Sequence, residues 1–141
     1  METHLRLISL DVGEKRIGVA LSDPTGTLAT PLKTINSRGK SSDVAEVLSL
    51  VAEYGVAEII VGLPLELSGR VGTQARIVER FVRSLSKASP VPVTKIDERY
   101  SSVQAERMLR ESGKQPSKDK ASVDAAAAAV VLQAYLDTRA A

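Results

Sequence analysis

From Leu5 to Val12 the chain is a run of apolar, β-prone positions, and after the short turn Gly13-Glu14-Lys15 a second such run extends from Ile17 to Leu21. Two short apolar runs joined by a glycine-containing turn predict a β-hairpin. A third strand is expected over about Leu28–Ile35, after the turn signal Asp23-Pro24-Thr25-Gly26. Pro31 within it has no N–H for a ladder, which places this strand at a sheet edge. The period then changes: Val44, Val47, Leu48 and Val51 recur at i, i+3, i+4 and i+7, one face of a helix. Asp43 with Glu46 has the spacing of a capping box at its start. Glu58 to Leu63 holds the compact run Ile59-Ile60-Val61, typical of a strand covered on both faces. Val78, Phe81, Val82 and Leu85 mark a second helical face, and Val91 to Ile96 reads as the next strand. Ser101 with Gln104 marks another helix start, carrying Ala105, Met108 and Leu109 inward and stopped by Gly113. Lys114 to Ala121 reads as a basic polar loop, and Ser122 as the cap of a final helix through about Asp137.

Three strands followed by alternating helices and strands predict an α/β fold: a mixed five-stranded sheet flanked by helices, in the order βββαβαβα with the helical stretches after the last strand counted together. The small side chains of Ala125 to Ala129 would let the final helix approach the sheet closely. No repeat or linker divides residues 1–141, so a single domain is expected, long enough to bury roughly 68% of its unfolded surface.

Composition narrows the chemistry. The absence of cysteine excludes disulfides, thiol nucleophiles, thiolate zinc and iron–sulfur clusters. His4, the one histidine, precedes the first strand and reads as solvated. Aromatics at 3%, with no tryptophan, argue against a base-stacking platform for single strands. Nineteen Lys and Arg against seventeen Asp and Glu give a net charge of +2, which permits a polyanionic partner. The longest strictly apolar run, Ala125 to Leu132, is far short of the roughly 18 residues needed to span a bilayer, and no secretory signal precedes the first strand. No membrane partner is expected, and the location expected is the cytoplasm.

Three acids sit where strands end or a helix begins: Asp11 in Leu10-Asp11-Val12-Gly13, Glu98 in Asp97-Glu98-Arg99, and Asp124 two residues into the last helix. Asp97 and Glu98 point to opposite faces, so only one of them readily faces a site on one side of the sheet. Asp124 shares a helical face with Ala127, Ala128 and Val131, which aims it at the sheet. Two carboxylates ~5 Å apart at an effective dielectric of ~20 repel by about 3 kcal/mol. If all three converge, a bound divalent cation is the simplest way to hold them together. Lys15 and Arg16 in the hairpin turn, and Lys118 and Lys120 in the basic loop, are candidates to hold phosphate. Gly62, opening the glycine-punctuated loop Gly62–Gly72 where a strand ends, and Arg99 are further candidates for substrate contact.

The stretch Leu10-Asp11-Val12-Gly13-Glu14-Lys15-Arg16-Ile17-Gly18-Val19-Ala20 with Ser22-Asp23, then Val61-Gly62-Leu63-Pro64-Leu65, then Asp97-Glu98-Arg99, and then Asp124 with its alanines and Leu132 resemble the YqgF/RuvX family of RNase H-like proteins. The resemblance spans nearly the whole chain. It implies an RNase H-like fold and a nuclease dependent on Mg²⁺ or Mn²⁺, with Asp11, Glu98 and Asp124 as catalytic and metal-binding residues. It further implies maturation of the 5′ end of the 16S ribosomal RNA precursor, with the small ribosomal subunit precursor as partner, or resolution of Holliday junctions in branched DNA. Two departures occur: Glu66-Leu67-Ser68-Gly69 replaces an Asn-Met-Asp…Gly pattern, and Tyr100-Ser101-Ser102 a Leu/Thr-rich one. Two other classes compete: an ATP-using fold of the actin and sugar-kinase type, which needs two such domains, and a ribosome-assembly module that binds RNA without turnover. A monomer fits RNA trimming, whereas a homodimer would match the twofold symmetry of a junction.

Overall fold

The computed structural model describes residues 6–63, 72–97 and 120–140. Five strands, β1 (Leu7–Val12), β2 (Arg16–Ser22), β3 (Ala29–Asn36), β4 (Glu58–Leu63) and β5 (Val93–Asp97), form one sheet in the spatial order β3-β2-β1-β4-β5. The turn-linked strands β1, β2 and β3 pair antiparallel, while β4 and β5 join in parallel. The mixture follows from the connections, since a tight turn reverses the chain and a crossover carries it back to the same end. Three helices are described: α1 (Lys40–Tyr54), α2 (Thr73–Ala88) and α3 (Lys120–Ala140). The mixed sheet with flanking helices matches the sequence expectation.

Strand alternation divides the core between two faces. Ile8, Leu10, Val12, Ile17, Val19, Ile59 and Val61 are buried on one side with Val47 and Val51 of α1 and Val78, Phe81 and Leu85 of α2. Leu7, Ala20 and Ile60 face the other way, under Ala128, Ala129, Val131, Leu132 and Leu136 of α3. Ala125 through Ala129 are all buried, as their size suggested. The sheet under them is small as well, because Ser9, Gly18, Ala20 and Ser22 occupy the matching positions of β1 and β2. Where both surfaces are small they pack backbone against backbone, so α3 combines close van der Waals contact along its alanines with the apolar burial of Leu132 and Leu136 against Leu7 and Ile60.

Polar groups fix where α3 lies. Ser9 Oγ donates to the Ala128 carbonyl at 2.6 Å, and Gln133 accepts from the Ala29 amide while donating to the Thr27 carbonyl. Farther along, Glu58 Oε2 accepts from Thr94 Oγ1 at 2.7 Å and from the Tyr135 hydroxyl at 3.0 Å. Burial, and then the Glu58 carboxylate, pushes the Tyr135 phenol above its ordinary value. In the β2–β3 turn Asp23 accepts from the Leu28, Thr25 and Thr27 amides and the Thr25 hydroxyl. These donors, the Leu28 amide foremost, hold its carboxyl well below the usual range. Asp23 is thus a turn residue, as its place before Pro24 suggested.

The edge position of β3 is as Pro31 predicted. The ladder steps from Val19↔Lys33 to Ala20↔Pro31, so Leu32 is the extra residue of a bulge. Three boundaries differ from expectation. Asp43 does not begin a capping box: α1 starts at Lys40, and the buried Asp43 carboxylate turns back to accept from Ser37 Oγ at 2.5 Å and the Arg38 amide at 3.0 Å. The Glu46 partner expected for it reaches Lys33 on β3 instead. β5 begins at Val93 because Ser89 Oγ bonds both the N–H and the carbonyl of Val91, which ties Val91 into the preceding turn. Ser122 is not a cap, since α3 starts two residues earlier at Lys120 and runs on to Ala140. The helix expected from Ser101 lies outside the described residues.

Candidate functional site

Leu7 and Ser9 face α3, so alternation along β1 turns Asp11 to the same side, at the end of the strand. Directly opposite Asp11 in the β1–β2 ladder stands Gly18. The backbone of α3 rests on that glycine: a Cβ there would lie 2.0 Å from the Asp124 carbonyl oxygen, 2.3 Å from its carbon and 2.9 Å from the Ala125 nitrogen. No real side chain fits such a gap. The helix therefore brings the backbone of Asp124 directly above the strand partner of Asp11, at the end of the sheet where β1 finishes. On the other side of Asp11, the β1–β4 ladder runs to Leu10↔Val61, so the next residue of β4 is Gly62. Asp11 is flanked on both neighbouring strands by residues without side chains.

Arg16, two residues before Gly18 and on the same face, donates from Nε to Asp124 Oδ2 at 2.7 Å. The side chains retain 35% and 26% exposure, so water screens the pair only partly. Arg16 was expected to hold phosphate; here it balances the charge of Asp124 and fixes its rotamer. Among the described residues the bond from Arg16 falls on Asp124 Oδ2, not on Oδ1. Arg16→Gln should lower stability by about 1–2 kcal/mol, because the half-buried carboxylate loses its charged donor. Urea denaturation checks this, with an unchanged midpoint as the contrary result.

Lys15 is exposed in the hairpin turn beside this edge, and its carbonyl accepts from the Ser37 amide. Gly62 is buried within β4, paired with Ile96 of β5. β5 ends at Asp97 opposite Leu63. Glu98, Arg99 and Lys118 lie outside the described residues. Lys120, expected in a loop, is the first residue of α3. Among the described residues no three acids or histidines gather into a metal-holding group. Two carboxylates at a sheet edge nevertheless suit Mg²⁺ or Mn²⁺, hard ions bound through one or two carboxylates with water completing the shell. Gly18 was quoted in the sequence pattern without a role. A glycine inside an otherwise largely apolar strand was the available signal, since it marks close backbone approach.

A cavity of about 340 Å³ opens on the other face of the sheet, lined by Val12, Ile17, Ile77 and Phe81, with Glu14, Ser37, Lys40, Asp43 and Arg80 as its polar lining. Gln74 of α2 donates to the Val12 carbonyl at 2.9 Å, so α2 begins at the same sheet edge as Asp11. No described helix is long and apolar enough to cross a membrane.

The family model for RuvX, described as Holliday junction resolvase, matches residues 5–138. A protein of Chloroflexus aurantiacus, provisionally named pre-16S rRNA nuclease, is 49% identical over 133 residues, covering 94% of this chain and 87% of its own. A relative from Synechococcus elongatus with the same name is 43% identical over 130 residues, covering 92% of this chain and 87% of its own. Among solved structures, RuvC of T. thermophilus bound to a Holliday junction substrate aligns with a TM-score of 0.58 at 18% identity, covering 97% of this chain and 96% of that one. The fowlpox virus Holliday junction resolvase aligns with a TM-score of 0.61 at 15% identity, covering 96% and 99%. At such identities the likeness is one of fold, the RNase H-like architecture of these resolvases.

Proposed function

Because this chain belongs to the RuvX family, we propose that it is a nuclease, a phosphodiester hydrolase dependent on Mg²⁺ or Mn²⁺, which processes the 5′ end of pre-16S rRNA. The observation that carries the reading is the seating of the α3 backbone on Gly18, which sets Asp124 over the strand partner of Asp11. Asp11, Asp124 and Glu98 are the residues proposed to hold the ion, as catalytic and metal-binding side chains. When bound, the ion supplies Lewis acidity toward the phosphate oxygens.

The chain's own residues supply the positioning. The β1–β2 ladder fixes the backbone that carries Asp11, and Arg16 holds the Asp124 carboxylate, so the chain presents both acids on pre-set supports as negative charge grows on the phosphate. Lys15, Arg99, Lys118 and Lys120 are proposed to contact the phosphodiester backbone, and the bare Gly62 backbone lets the strand come close. Water attacks phosphorus and the P–O bond to the departing nucleotide breaks, with a proton passing from the water to the leaving oxygen. Such backbone contacts position a substrate without reading its sequence.

RNA is the favoured substrate because relatives sharing up to 49% identity carry the pre-16S rRNA name, whereas the junction-bound neighbour shares only 18%. The reading places a single domain, acting as a monomer, in the cytoplasm with the small-subunit precursor as partner. Resolution of branched DNA by a homodimer is the second reading, favoured by the description of the matching family. The test incubates the protein with a precursor-rRNA fragment and with a four-way DNA junction, in Mn²⁺, in Mg²⁺ and in chelator. Metal-dependent cut RNA is the expected result. Cleavage that survives chelator would overturn the metal assignment, and binding of RNA without any cleavage would leave an assembly module in place of an enzyme.

A further inference from the structure

The solvent side of α2 carries Arg76, Arg80, Arg83 and Lys87, at spacings of four, three and four residues. At about 100° per residue, these positions fall within a band roughly 60° wide, one straight row along the helix. All four side chains are exposed, and none forms an ion pair among the described residues. The only acid on α2, Glu79, is occupied by Lys95 of β5 at 2.9 Å. Like charges at i+3 and i+4 repel, and Arg76 also faces the positive end of the helix dipole. The arrangement costs helix stability in the isolated protein, and a polyanion lying along it would remove the cost. One 16-residue helix with four cations and one acid carries +3, more than the +2 of the whole chain.

Three further observations narrow the partner. The row spans about 16 Å from Arg76 to Lys87, which matches roughly five base-pair steps of a nucleic-acid duplex. Phe81, the single phenylalanine of the chain and the aromatic residue of α2, is buried against the sheet, so no ring is offered to unstacked bases. The row also starts at the sheet edge of Asp11, where Gln74 holds the Val12 carbonyl, and Arg80 lines the cleft that Lys40 of α1 lines as well. Glu14 lines that cleft as well, but it lies off the row.

We propose that Arg76, Arg80, Arg83 and Lys87 form a track for the phosphate backbone of a nucleic-acid duplex, holding the base-paired flank of the substrate on the sheet face opposite α3. The track rests on the nuclease reading for the identity of the polyanion. It explains how a domain poor in aromatic residues grips a folded substrate: by backbone charge, along a row that leads away from the proposed cutting edge.

The experiment measures binding of a fluorescently labelled RNA duplex, several helical turns long, by anisotropy in chelator across a series of salt concentrations. Arg80→Gln/Arg83→Gln is compared with the charge-matched Lys33→Gln/Arg139→Gln, whose cations lie on β3 and α3. The track variant should bind roughly tenfold more weakly at moderate salt, and its log–log salt slope should be less steep by about 0.9 for each phosphate no longer neutralised. The control pair should change both far less, and circular dichroism melts should show the track variant folded. Equal affinities and slopes for the two variants, no duplex binding by the unaltered protein, or preferential retention on anionic vesicles would each overturn the track. Cleavage is scored separately. Unweakened duplex binding by the track variant, with metal-dependent cleavage intact, overturns this inference alone. Duplex binding that depends on the row, with no cleavage in any metal, removes the nuclease reading and leaves the track standing.

Discussion

Asp11→Asn should reduce cleavage of a precursor-rRNA fragment by about 10³-fold at saturating Mn²⁺ while leaving the fold intact. The amide has the shape of the carboxylate and keeps the Asp11↔Gly18 register, so β1 has no reason to shift. What it removes is the charge proposed to anchor a hard cation, and Lewis-acid stabilisation at a phosphoryl centre is worth several kcal/mol, or roughly three powers of ten in rate. The side chain is half-buried rather than deep in the core, so the melting temperature should move by no more than about 1 kcal/mol would require. Binding of duplex in chelator should be unaltered, because the α2 row lies on the other face of the sheet. Equal turnover by the two proteins would remove Asp11 from the catalytic assignment, whatever happened to affinity.

Gly18→Val should be the most damaging single change to the architecture. A Cβ at this position meets the Asp124 carbonyl at 2.0 Å, and the obstacle is helix backbone, which cannot swing aside as a side-chain tip would. Either α3 lifts off the sheet or β2 bends, and overpacking on this scale costs about 2–4 kcal/mol, roughly 5–10 °C in the melting temperature of a domain this size. Lifting α3 also carries Asp124 away from Asp11, so activity should fall further than stability does. Gly18→Ala should show the same direction with a smaller fall, since its single methyl already lies inside the contact. Wild-type stability in the valine variant would mean that the helix does not sit on this glycine.

Much of the architecture was legible in the chain. Period-2 and period-3.6 patterns reflect burial, and burial here follows the two faces cleanly: Ile8 and Leu10 to one side, Leu7 and Ser9 to the other. Pro31 announced an edge because a missing donor is a property of the residue itself. The errors fell where a partner distant in sequence decides. Asp43 looked like the start of a helix, yet Ser37 and Arg38 claim its carboxylate. Arg16, read only as a phosphate contact, also pairs with an acid 108 residues away. Gly18 carried no visible purpose until α3 was laid upon it. The row on α2 was written in the spacing of its cations, but attention to the apolar stripe of a helix passes over the opposite side.

The alanine run of α3 has one more consequence. Over Ala125–Ala129 a rod studded with nearly identical methyl groups meets the sheet almost equally well when displaced slightly along its axis, so beyond the seat on Gly18 and the burial of Leu132 and Leu136 this stretch leaves the fine setting open. The setting is supplied by a few pegs: Ser9 on the Ala128 carbonyl, Gln133 on the β2–β3 turn, and the Tyr135 hydroxyl on Glu58. Because the rod is stiff, loosening a peg near its far end translates the whole length, and the carboxylate at its tip moves with it. The alignment of the proposed cutting edge is thereby governed from the remote end of the sheet, as a vernier is read at one end and set at the other.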